Sequence, residues 1–343
     1  MRRLLNTLFV TSDNIYLSLE GENVVASQEK STIARYPLHT LSGIISFAYS
    51  GVSPALMGEC ARRGISLSFC SPSGRFLAQV TGEANGNVLL RRSQYRASDD
   101  PLQSCRLARS MIFGKVYNAR QSLERTRRDH GLRVNDSKLR EASDQLKKML
   151  PQLLEAEELD TLRGLEGVAA ANYFGVFDQL ILGDKECFRF DNRSRRPPTD
   201  PVNTLLSFAY TLLTYDCASA LDSVGLDAYV GFLHRDRPGR RSLALDMAEE
   251  LRACIADRFV LSCINNRVFK GTDFEYRENG GVYLRDGPRR NFLQKWQDRK
   301  KDIITHPYIS EKLPWGLVPY VQALLLARYL RGDLEEYPPF LWK

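Results

Sequence analysis

The chain has 343 residues, more than one hydrophobic core usually spans, so we expect two domains. Hydrophobic residues make up 43% of it, but no stretch approaches the roughly 18 uninterrupted apolar residues of a spanning helix, which excludes a helical membrane protein. The net charge of +7 suits a polyanionic partner without requiring one. The seven cysteines include no CxxC pair, which argues against a zinc ribbon or a disulfide framework and predicts a cytoplasmic protein.

Residues 1–90 are predicted to form a small β-rich domain. Short segments of β-branched and aromatic residues alternate there with Gly, Asn, Asp, Ser and Pro, as strands and turns do. The predicted strands are LLNTLFVT, IYLSLEG, NVVAS, TIARYPL, GIISFAY, ISLSFCS and, after a turn at SPSGR, FLAQV. One short helix is expected at SPALMGECARRG, because Ser53 and Pro54 can start a helix and Gly64 can end it.

Residues 91–100 are predicted to be a linker, and 101–343 a helical domain. A helix opens at Asp99-Asp100-Pro101 and runs toward residue 128, and a second covers about 136–150 before Pro151. The next segment, LRGLEGVAAANYFGVFDQLI, has apolar and small residues at helical spacing. After a proline-rich loop, a strongly apolar helix is expected to end at Gly225.

The last third of the chain continues this pattern. The loop GFLHRDRPGRRS leads into the predicted helix LALDMAEELRACIADRFVLSCI. DFEYRENGGVYLRDG alternates apolar and polar residues around Asn279-Gly280, which indicates a hairpin, and two more helices follow. The predicted fold class is therefore α+β: a small β-rich N-terminal domain followed by a larger all-α domain with one β-hairpin.

Arginine-rich clusters recur along the chain. They lie at 91–128, 193–196, 235–241 and 289–301. The planar guanidinium matches phosphate oxygens, although any single cluster is as often a solvated helix face. Four clusters, one beside the histidine discussed next, favour a nucleic-acid backbone. The candidate DNA-binding residues are Arg235, Arg237, Arg240, Arg241 and Arg252.

A possible catalytic site begins with His234, which ends the apolar stretch YVGFLH just before a basic loop. A lone histidine in such a place is more often structural. On the next predicted helix, Asp246 and Glu249 are spaced i, i+3, so both carboxylates lie on one face. The loop is short enough to fold the histidine back over this helix. Carboxylate pairs also occur on plain solvated surfaces, which remains the alternative.

Glu166 is the third candidate, in the Gly- and Ala-rich segment GLEGVAAANYFG. An unpaired charge is costly in a packed segment, so this carboxylate needs a partner, and a metal ion is one candidate. The alternative is a carboxylate near a helix start, where it favours the helix dipole. A site of carboxylates and one imidazole suits Mg²⁺ or Mn²⁺, which would activate a nucleophile toward a phosphodiester. The chain contains no Walker A, GxGxxG, GxSxG or HExxH motif.

Over nearly its whole length the sequence resembles the CRISPR-associated integrase and endonuclease family, Cas protein one, in the version that accompanies type I-C systems. The segments that carry the resemblance are YPLHTLSGIISFAYSGVSPALMGECARRGISLSFCSPSGRF, LEGVAAANYF, DPVNTLLSFAYTLL, VGFLHRDRPGRRSLALDMAEELR and NGGVYLRDGPRRNFLQKW. The resemblance implies a homodimer formed through the N-terminal domain and a helical catalytic domain.

The resemblance also implies a divalent metal, Mg²⁺ or Mn²⁺, held by Glu166, His234 and Glu249. The last position is often Asp in relatives, so glutamate lengthens the arm that reaches the metal. Asp246 matches a second acidic position near the metal. Tyr210, in NTLLSFAY, matches a tyrosine that can lie near the substrate, with a core aromatic as the alternative.

The implied function is metal-dependent insertion of short foreign DNA, the spacers, into a CRISPR array. A 3′ hydroxyl would attack a phosphodiester at the repeat border, and the same site could cut double-stranded or branched DNA. The implied partners are the small ferredoxin-like Cas protein two and, in some systems, a Cas four nuclease. Two alternatives stay open: a stand-alone structure-specific nuclease for branched DNA, and a DNA-binding module without catalysis.

Overall fold

The computed structural model describes residues 6–10, 12, 14–29, 31–46, 51–70, 76–82 and 88–342. The backbone is mixed α+β, with small sheets near the N-terminus and helices through most of the rest, which confirms the predicted class. The chain divides into two compact units. One contains Met1–Asn85 and Arg290–Asp302, and the other contains Gly86–Arg289 and Ile303–Lys343.

The first unit contains seven of the strands. They are β1 (Asn6–Val10), β2 (Ile15–Glu20), β3 (Asn23–Gln28), β4 (Ser31–Pro37), β5 (Leu41–Ser46), β6 (Ser66–Cys70) and β7 (Phe76–Val80). One sheet has the order β1-β5-β6-β7, with the first three strands parallel and β7 antiparallel, and β2-β3-β4 form an antiparallel sheet. All seven were predicted. The predicted strand ends at 4–5, 11 and 47–49 and the turn at 71–75 lie outside the described residues.

The short helix α1 (Pro54–Arg63) begins and ends where its sequence indicates. The Ser53 hydroxyl accepts a hydrogen bond from the backbone nitrogen of Leu56 at 3.2 Å, and Gly64 follows the helix at φ +66°. A glycine adopts that left-handed conformation without a Cβ clash. The helix buries Leu56 and Cys60 in the core of this unit, beside Leu17.

The remaining helices account for most of the chain. They are α2 (Val88–Asp99), α3 (Pro101–His130), α4 (Asp136–Glu155), α5 (Leu159–Gly175), α6 (Pro201–Ser223), α7 (Ser242–Leu251), α8 (Arg258–Asn265), α9 (Asp286–Lys301) and α10 (Val318–Leu330). Among the described residues, none of these helices combines the length and the hydropathy needed to cross a bilayer. The long helix α3 packs against α4, α5 and α7 and so forms the centre of the second unit.

Two segments differ from their predictions. The expected linker at 91–100 is largely occupied by α2, because Leu90, Gln94 and Ala97 form a buried face at helical spacing. Helix α4 continues through Pro151 to Glu155 and does not stop near residue 150. A proline there removes one helical hydrogen bond, but the burial of Leu153 beyond it stabilises the extra turn.

The predicted hairpin is present, and a second strand pair accompanies it. β8 (Phe274–Tyr276) and β9 (Val282–Leu284) pair antiparallel, with Gly280 in the turn at φ +74°. The expectation of only one hairpin is wrong, because β10 (Ile303–Thr305) and β11 (Lys312–Pro314) also pair antiparallel. Backbone hydrogen bonds between His306 and both Ser310 and Glu311 reverse the chain there, without the Asn-Gly type of signal that a short turn carries.

Candidate active site

Three helices of the second unit meet at the predicted site. Glu249 lies in the last turn of α7, which continues through a π-helical turn (Arg252–Asp257) into α8, so the predicted helix is one run with a π segment inside it. Such turns redirect side chains and often occur at functional sites. Helix α3 approaches α7 closely at Gly114, where an added Cβ would lie 3.1 Å from the Cβ of Glu250. This close approach brings the next residue, Lys115, to Glu249.

Asp246 fixes His234 and the chain that leads to it. One carboxylate oxygen, Oδ1, lies 2.5 Å from His234 Nδ1 and accepts the backbone N–H of the same residue at 3.1 Å. The other oxygen, Oδ2, accepts the backbone N–H groups of Phe232 at 2.6 Å and Leu233 at 2.9 Å. Asp246 is fully buried, while about a quarter of the His234 side chain is exposed. Asp246 therefore fixes the orientation of the imidazole through Nδ1, while part of the ring stays exposed to solvent.

Gly231 makes that arrangement possible by its lack of a side chain. A Cβ built there would lie 2.7 Å from Asp246 Oδ2 and 2.8 Å from the backbone carbonyl carbon of Ser242. Both distances are shorter than non-bonded contacts allow. A glycine at position 231 therefore lets the backbone of this loop pass close to the start of α7.

Lys115, on α3, joins the two predicted carboxylate ligands. Its Nζ pairs with Glu166 Oε1 on α5 and lies 2.7 Å from Glu249 Oε2 on α7. The lysine side chain is 14% exposed, Glu249 is 6% exposed and Glu166 is 28% exposed. The two carboxylates thus converge on an ammonium group of the chain itself.

Glu249 is held in its charged form. Burial alone would raise its pKa, but the charges of Arg252 and Lys115 outweigh burial and lower the pKa from 4.5 to about 2. Arg252 Nη1 donates to Glu249 Oε1 at 2.5 Å. The charge of His234 also lowers the pKa of this carboxyl, so the imidazole lies within electrostatic range of it.

Behind the carboxylates lies a buried layer of aromatic and charged groups. The Arg252 guanidinium carbon is 4.9 Å from the centre of the Tyr210 ring, within cation–π range. The Tyr210 hydroxyl donates to Asp257 Oδ1 at 2.6 Å, and the Tyr173 hydroxyl donates to Asp257 Oδ2 at 3.1 Å. Burial raises the pKa of Asp257 from 3.8 to about 6, although the two hydroxyl groups favour its charged form.

The five candidate DNA-binding arginines fall into two groups by exposure. Arg235 and Arg237 are exposed in the loop after His234, and Arg240 is half-buried. Arg241 is buried, with its guanidinium carbon 5.2 Å from the Tyr215 ring centre and 5.8 Å from that of Tyr229. Arg252 pairs with Glu249 at the site itself. Arg235 and Arg237 therefore present their side chains at the surface, whereas the Arg240 guanidinium also donates to the Arg235 carbonyl oxygen.

A family model described as CRISPR associated protein Cas1 matches residues 8–298 of the chain. The chain belongs to the Cas1 family. Its Cas1 relatives include the CRISPR-associated endonuclease Cas1 1 of Chlorobaculum tepidum, 49% identical over 343 residues, and the CRISPR-associated endonuclease Cas1 2 of Rhodospirillum rubrum, 50% identical over 347 residues. Both alignments cover 100% of each protein. The family resemblance predicted from the sequence is confirmed.

Some proteins similar to this chain carry Cas1 together with other Cas proteins. A CRISPR-associated exonuclease Cas4/endonuclease Cas1 fusion of Geobacter sulfurreducens is 37% identical over 339 residues, which are 97% of this chain and 60% of the fusion. A solved Cas6-RT-Cas1–Cas2 complex contains a chain with TM-score 0.80 and 23% identity, covering 99% of this chain and 36% of that one. A casposase bound to integration product gives TM-score 0.83 and 23% identity, covering 99% and 95%. At such identities the solved structures establish a shared fold.

Within this Cas1 fold, the three predicted metal ligands do not all contact one another. Glu166 and Glu249 meet at Lys115, while His234 lies within electrostatic range of Glu249 with its Nδ1 turned to Asp246. Across the ranges that the structure describes, no three His, Cys, Asp or Glu side chains are grouped closely enough to hold a metal ion. His234 also lines an open cleft with a volume of about 550 Å³, and Arg163 and Arg235 line the same cleft.

Sequence reasoning missed Lys115 and Asp257 as parts of the site. Lys115 was counted only within an arginine-rich segment, although it is a single lysine among the largely apolar residues of MIFGKVY. Asp257 is a lone acid in the apolar run ACIADRFVL. A buried charge needs a partner, so an isolated charged residue inside an apolar helix was the available signal in both cases.

Proposed function

We propose that this Cas1-family chain is a metal-dependent DNA endonuclease and integrase of CRISPR adaptation, of the type I-C version. It would insert spacers into the array through attack of a 3′ hydroxyl on a phosphodiester. Family membership supports the endonuclease and integrase class. The observation that carries the proposal is the convergence of Glu166 and Glu249 on one positive charge, within electrostatic range of an imidazole that Asp246 orients.

The donor chemistry of this site suits a hard divalent cation, although Lys115 and not a third acidic or imidazole group joins the two carboxylates in this structure. Glu249 Oε2 is buried, and the cation it faces in the structure is the Lys115 ammonium, 2.7 Å away, so this oxygen already occupies a cation-binding position. Carboxylate oxygens with one imidazole suit Mg²⁺ or Mn²⁺. Glu166, His234 and Glu249 are the residues that would hold the ion. When bound, it would polarise a phosphodiester oxygen and activate the attacking hydroxyl.

The protein's own groups supply orientation and charge. Asp246 holds Nδ1 of His234, which leaves Nε2 as the ring atom directed away from that carboxylate. Arg252 neutralises one oxygen of Glu249 and packs on Tyr210. The Tyr210 hydroxyl is engaged by Asp257, so we propose that this tyrosine serves the site by orienting Arg252. Arg235, Arg237 and Arg240 are proposed to hold DNA phosphates.

We further propose that the chain acts as a homodimer on double-stranded and branched DNA in the cytoplasm. A Cas2 protein is the proposed partner, and a Cas4 nuclease a second one. The occurrence of a similar chain in a Cas1–Cas2 complex and of Cas1 in fusion with Cas4 supports these partners.

The deciding experiment is strand transfer on a labelled branched DNA that carries a repeat border. Reactions of wild type, His234→Ala and the control His130→Ala, an exposed histidine at the end of α3, are compared in Mn²⁺, Mg²⁺ and EDTA. We expect metal-dependent transfer that His234→Ala abolishes and His130→Ala retains, with duplex binding kept because backbone contacts carry the affinity.

Three other results would contradict the proposal in different ways. Equal loss of DNA binding and strand transfer in His234→Ala would remove the catalytic assignment of this histidine. Binding without metal-dependent chemistry, even with a Cas2 partner present, would favour a DNA-binding module. Full cutting activity without a partner and without preference for repeat borders would favour a stand-alone nuclease for branched DNA.

A further inference from the structure

Lys115 occupies the position at which the two carboxylates of the site converge. Its Nζ touches an oxygen of Glu166 from α5 and an oxygen of Glu249 from α7. The second oxygen of Glu249 is already engaged by Arg252 at 2.5 Å. The Oε2 atom that faces Lys115 is therefore the oxygen of Glu249 that remains for any other cation.

We propose that Lys115 competes with the divalent metal for Glu166 and Glu249. The inference rests on the proposed function, because it concerns the same site. When no metal is bound, the ammonium neutralises the two carboxylates and holds α3, α5 and α7 together. For a metal to bind, the ammonium must leave, because it and the metal require the same oxygens.

Electrostatics makes the competition necessary. Two carboxylates that share a buried position repel each other unless a positive charge lies between them. Lys115 supplies that charge as a compact ammonium on a flexible four-carbon stem, which can move without unfolding its helix. Keeping both the ammonium and a divalent ion against Glu249 Oε2 would place like charges in contact at a largely buried position.

The structure offers the ammonium an alternative direction. Lys115 and Asp257 line the same cavity of about 30 Å³, together with Tyr173, Tyr210 and the two arginines Arg195 and Arg252. A space of this size accepts a water-sized group. A displaced ammonium would thus move toward the Asp257 carboxylate, which two tyrosine hydroxyl groups already hold in place.

The test measures Mn²⁺ affinity through the electron paramagnetic resonance signal of free Mn²⁺. Lys115→Met removes the ammonium and keeps the apolar stem, so we expect Mn²⁺ to bind on the order of tenfold tighter. Lys147→Met, at an exposed lysine on α4, removes the same charge elsewhere and should leave the affinity as in wild type. Lys115→Arg keeps a cation with a two-pronged grip on carboxylates and should weaken Mn²⁺ binding.

Thermal unfolding gives a second readout that does not depend on activity. Without metal, Lys115→Met should unfold at a lower temperature than wild type, because Glu166 and Glu249 are left to repel each other. Saturating Mn²⁺ should raise its unfolding temperature by more than it raises that of wild type, since tighter binding to the folded state stabilises it more.

Unchanged or weaker Mn²⁺ binding by Lys115→Met would overturn the competition. If wild type also performs metal-dependent strand transfer that His234→Ala abolishes, the proposed function survives that result and only this inference fails. If wild type and Lys115→Met both fail to bind Mn²⁺, the competition and the metal-dependent function fail together. Tighter Mn²⁺ binding by Lys115→Met together with weaker Mn²⁺ binding by Lys115→Arg supports the competition.

Discussion

Asp246 binds both the ring and the backbone of His234. A single carboxylate oxygen lies 2.5 Å from the ring Nδ1 and 3.1 Å from the backbone nitrogen of the same histidine. The ring orientation and the main chain that carries it are therefore fixed by one buried group. A carboxylate in this position sets the tautomer and the ring orientation of a histidine that acts through its other nitrogen.

Replacing Asp246 by Asn should therefore impair the site without removing any proposed ligand. We expect Mn²⁺ affinity or strand transfer to fall about 10- to 100-fold, because an amide no longer fixes the ring tautomer. Single-turnover strand transfer over a range of Mn²⁺ concentrations measures both effects. The control is Asp236→Asn, an exposed acid in the same loop. Equal effects of the two variants would mean that Asp246 does not act through His234.

Gly231→Ala should displace the segment that carries His234. Its methyl group would lie 2.7 Å from Asp246 Oδ2, so chain or carboxylate must shift, at a cost of about 1–3 kcal/mol in the free energy of unfolding. Gly164→Ala, in α5, meets nothing within 4 Å and should stabilise by up to about 1 kcal/mol. Denaturant unfolding of both variants checks this, and similar behaviour of the two would show that the close approach is not a constraint.

The exposed arginines after His234 should act on DNA through charge. Log affinity falls as log salt concentration rises. Arg235→Ala and Arg237→Ala should each make this negative slope shallower by about 0.9, if each side chain contacts one phosphate. Arg241→Ala should leave the slope unchanged and lower the unfolding temperature, because its guanidinium is buried between Tyr215 and Tyr229. Salt titrations of duplex binding measure the slopes. A slope change in Arg241→Ala alone would reverse the division by exposure.

Local chemistry explains why much of the fold was predictable. The strands of the first unit alternate with turn residues, and α1 is delimited by Ser53 and Gly64 in the sequence itself. Helix α2 was missed because its buried face contains Gln94, whose amide donates to the carbonyls of Asp227 at 2.8 Å and Val230 at 2.9 Å. A polar residue buried through tertiary hydrogen bonds has no signature in apolar periodicity.

The candidate site was predictable only in part, for a related reason. Asp246 and Glu249 share a helix face through their spacing, and a short loop joins them to His234, so these residues could be grouped from the sequence. Lys115 precedes Glu166 by 51 positions, and the contact between them depends on how α3 packs against α5. Long-range contacts of this kind follow from tertiary packing, which local patterns do not encode.

His306 lies in the connection between β10 and β11 and is completely buried. Its Nδ1 faces the backbone N–H of Tyr308 at 3.3 Å, and its Nε2 lies 3.1 Å from the side-chain oxygen of Gln322. Burial lowers its pKa from 6.5 to about 4, although the contact with Gln322 favours the charged form. The folded protein therefore holds this histidine neutral at pH values where the unfolded chain is protonated.

This difference predicts a loss of stability on acidification. Because the folded pKa lies below the unfolded one, the contribution of His306 is complete above pH 6.5 and is lost as the pH falls toward 4. By pH 5 the loss should reach about 2 kcal/mol in the free energy of unfolding. His306→Asn cannot take up this proton, so its stability should fall less than that of wild type between pH 7 and pH 5. His130→Ala, at an exposed position, should follow wild type in the same denaturant titrations, and parallel curves for all three proteins would show that His306 is not the group responsible.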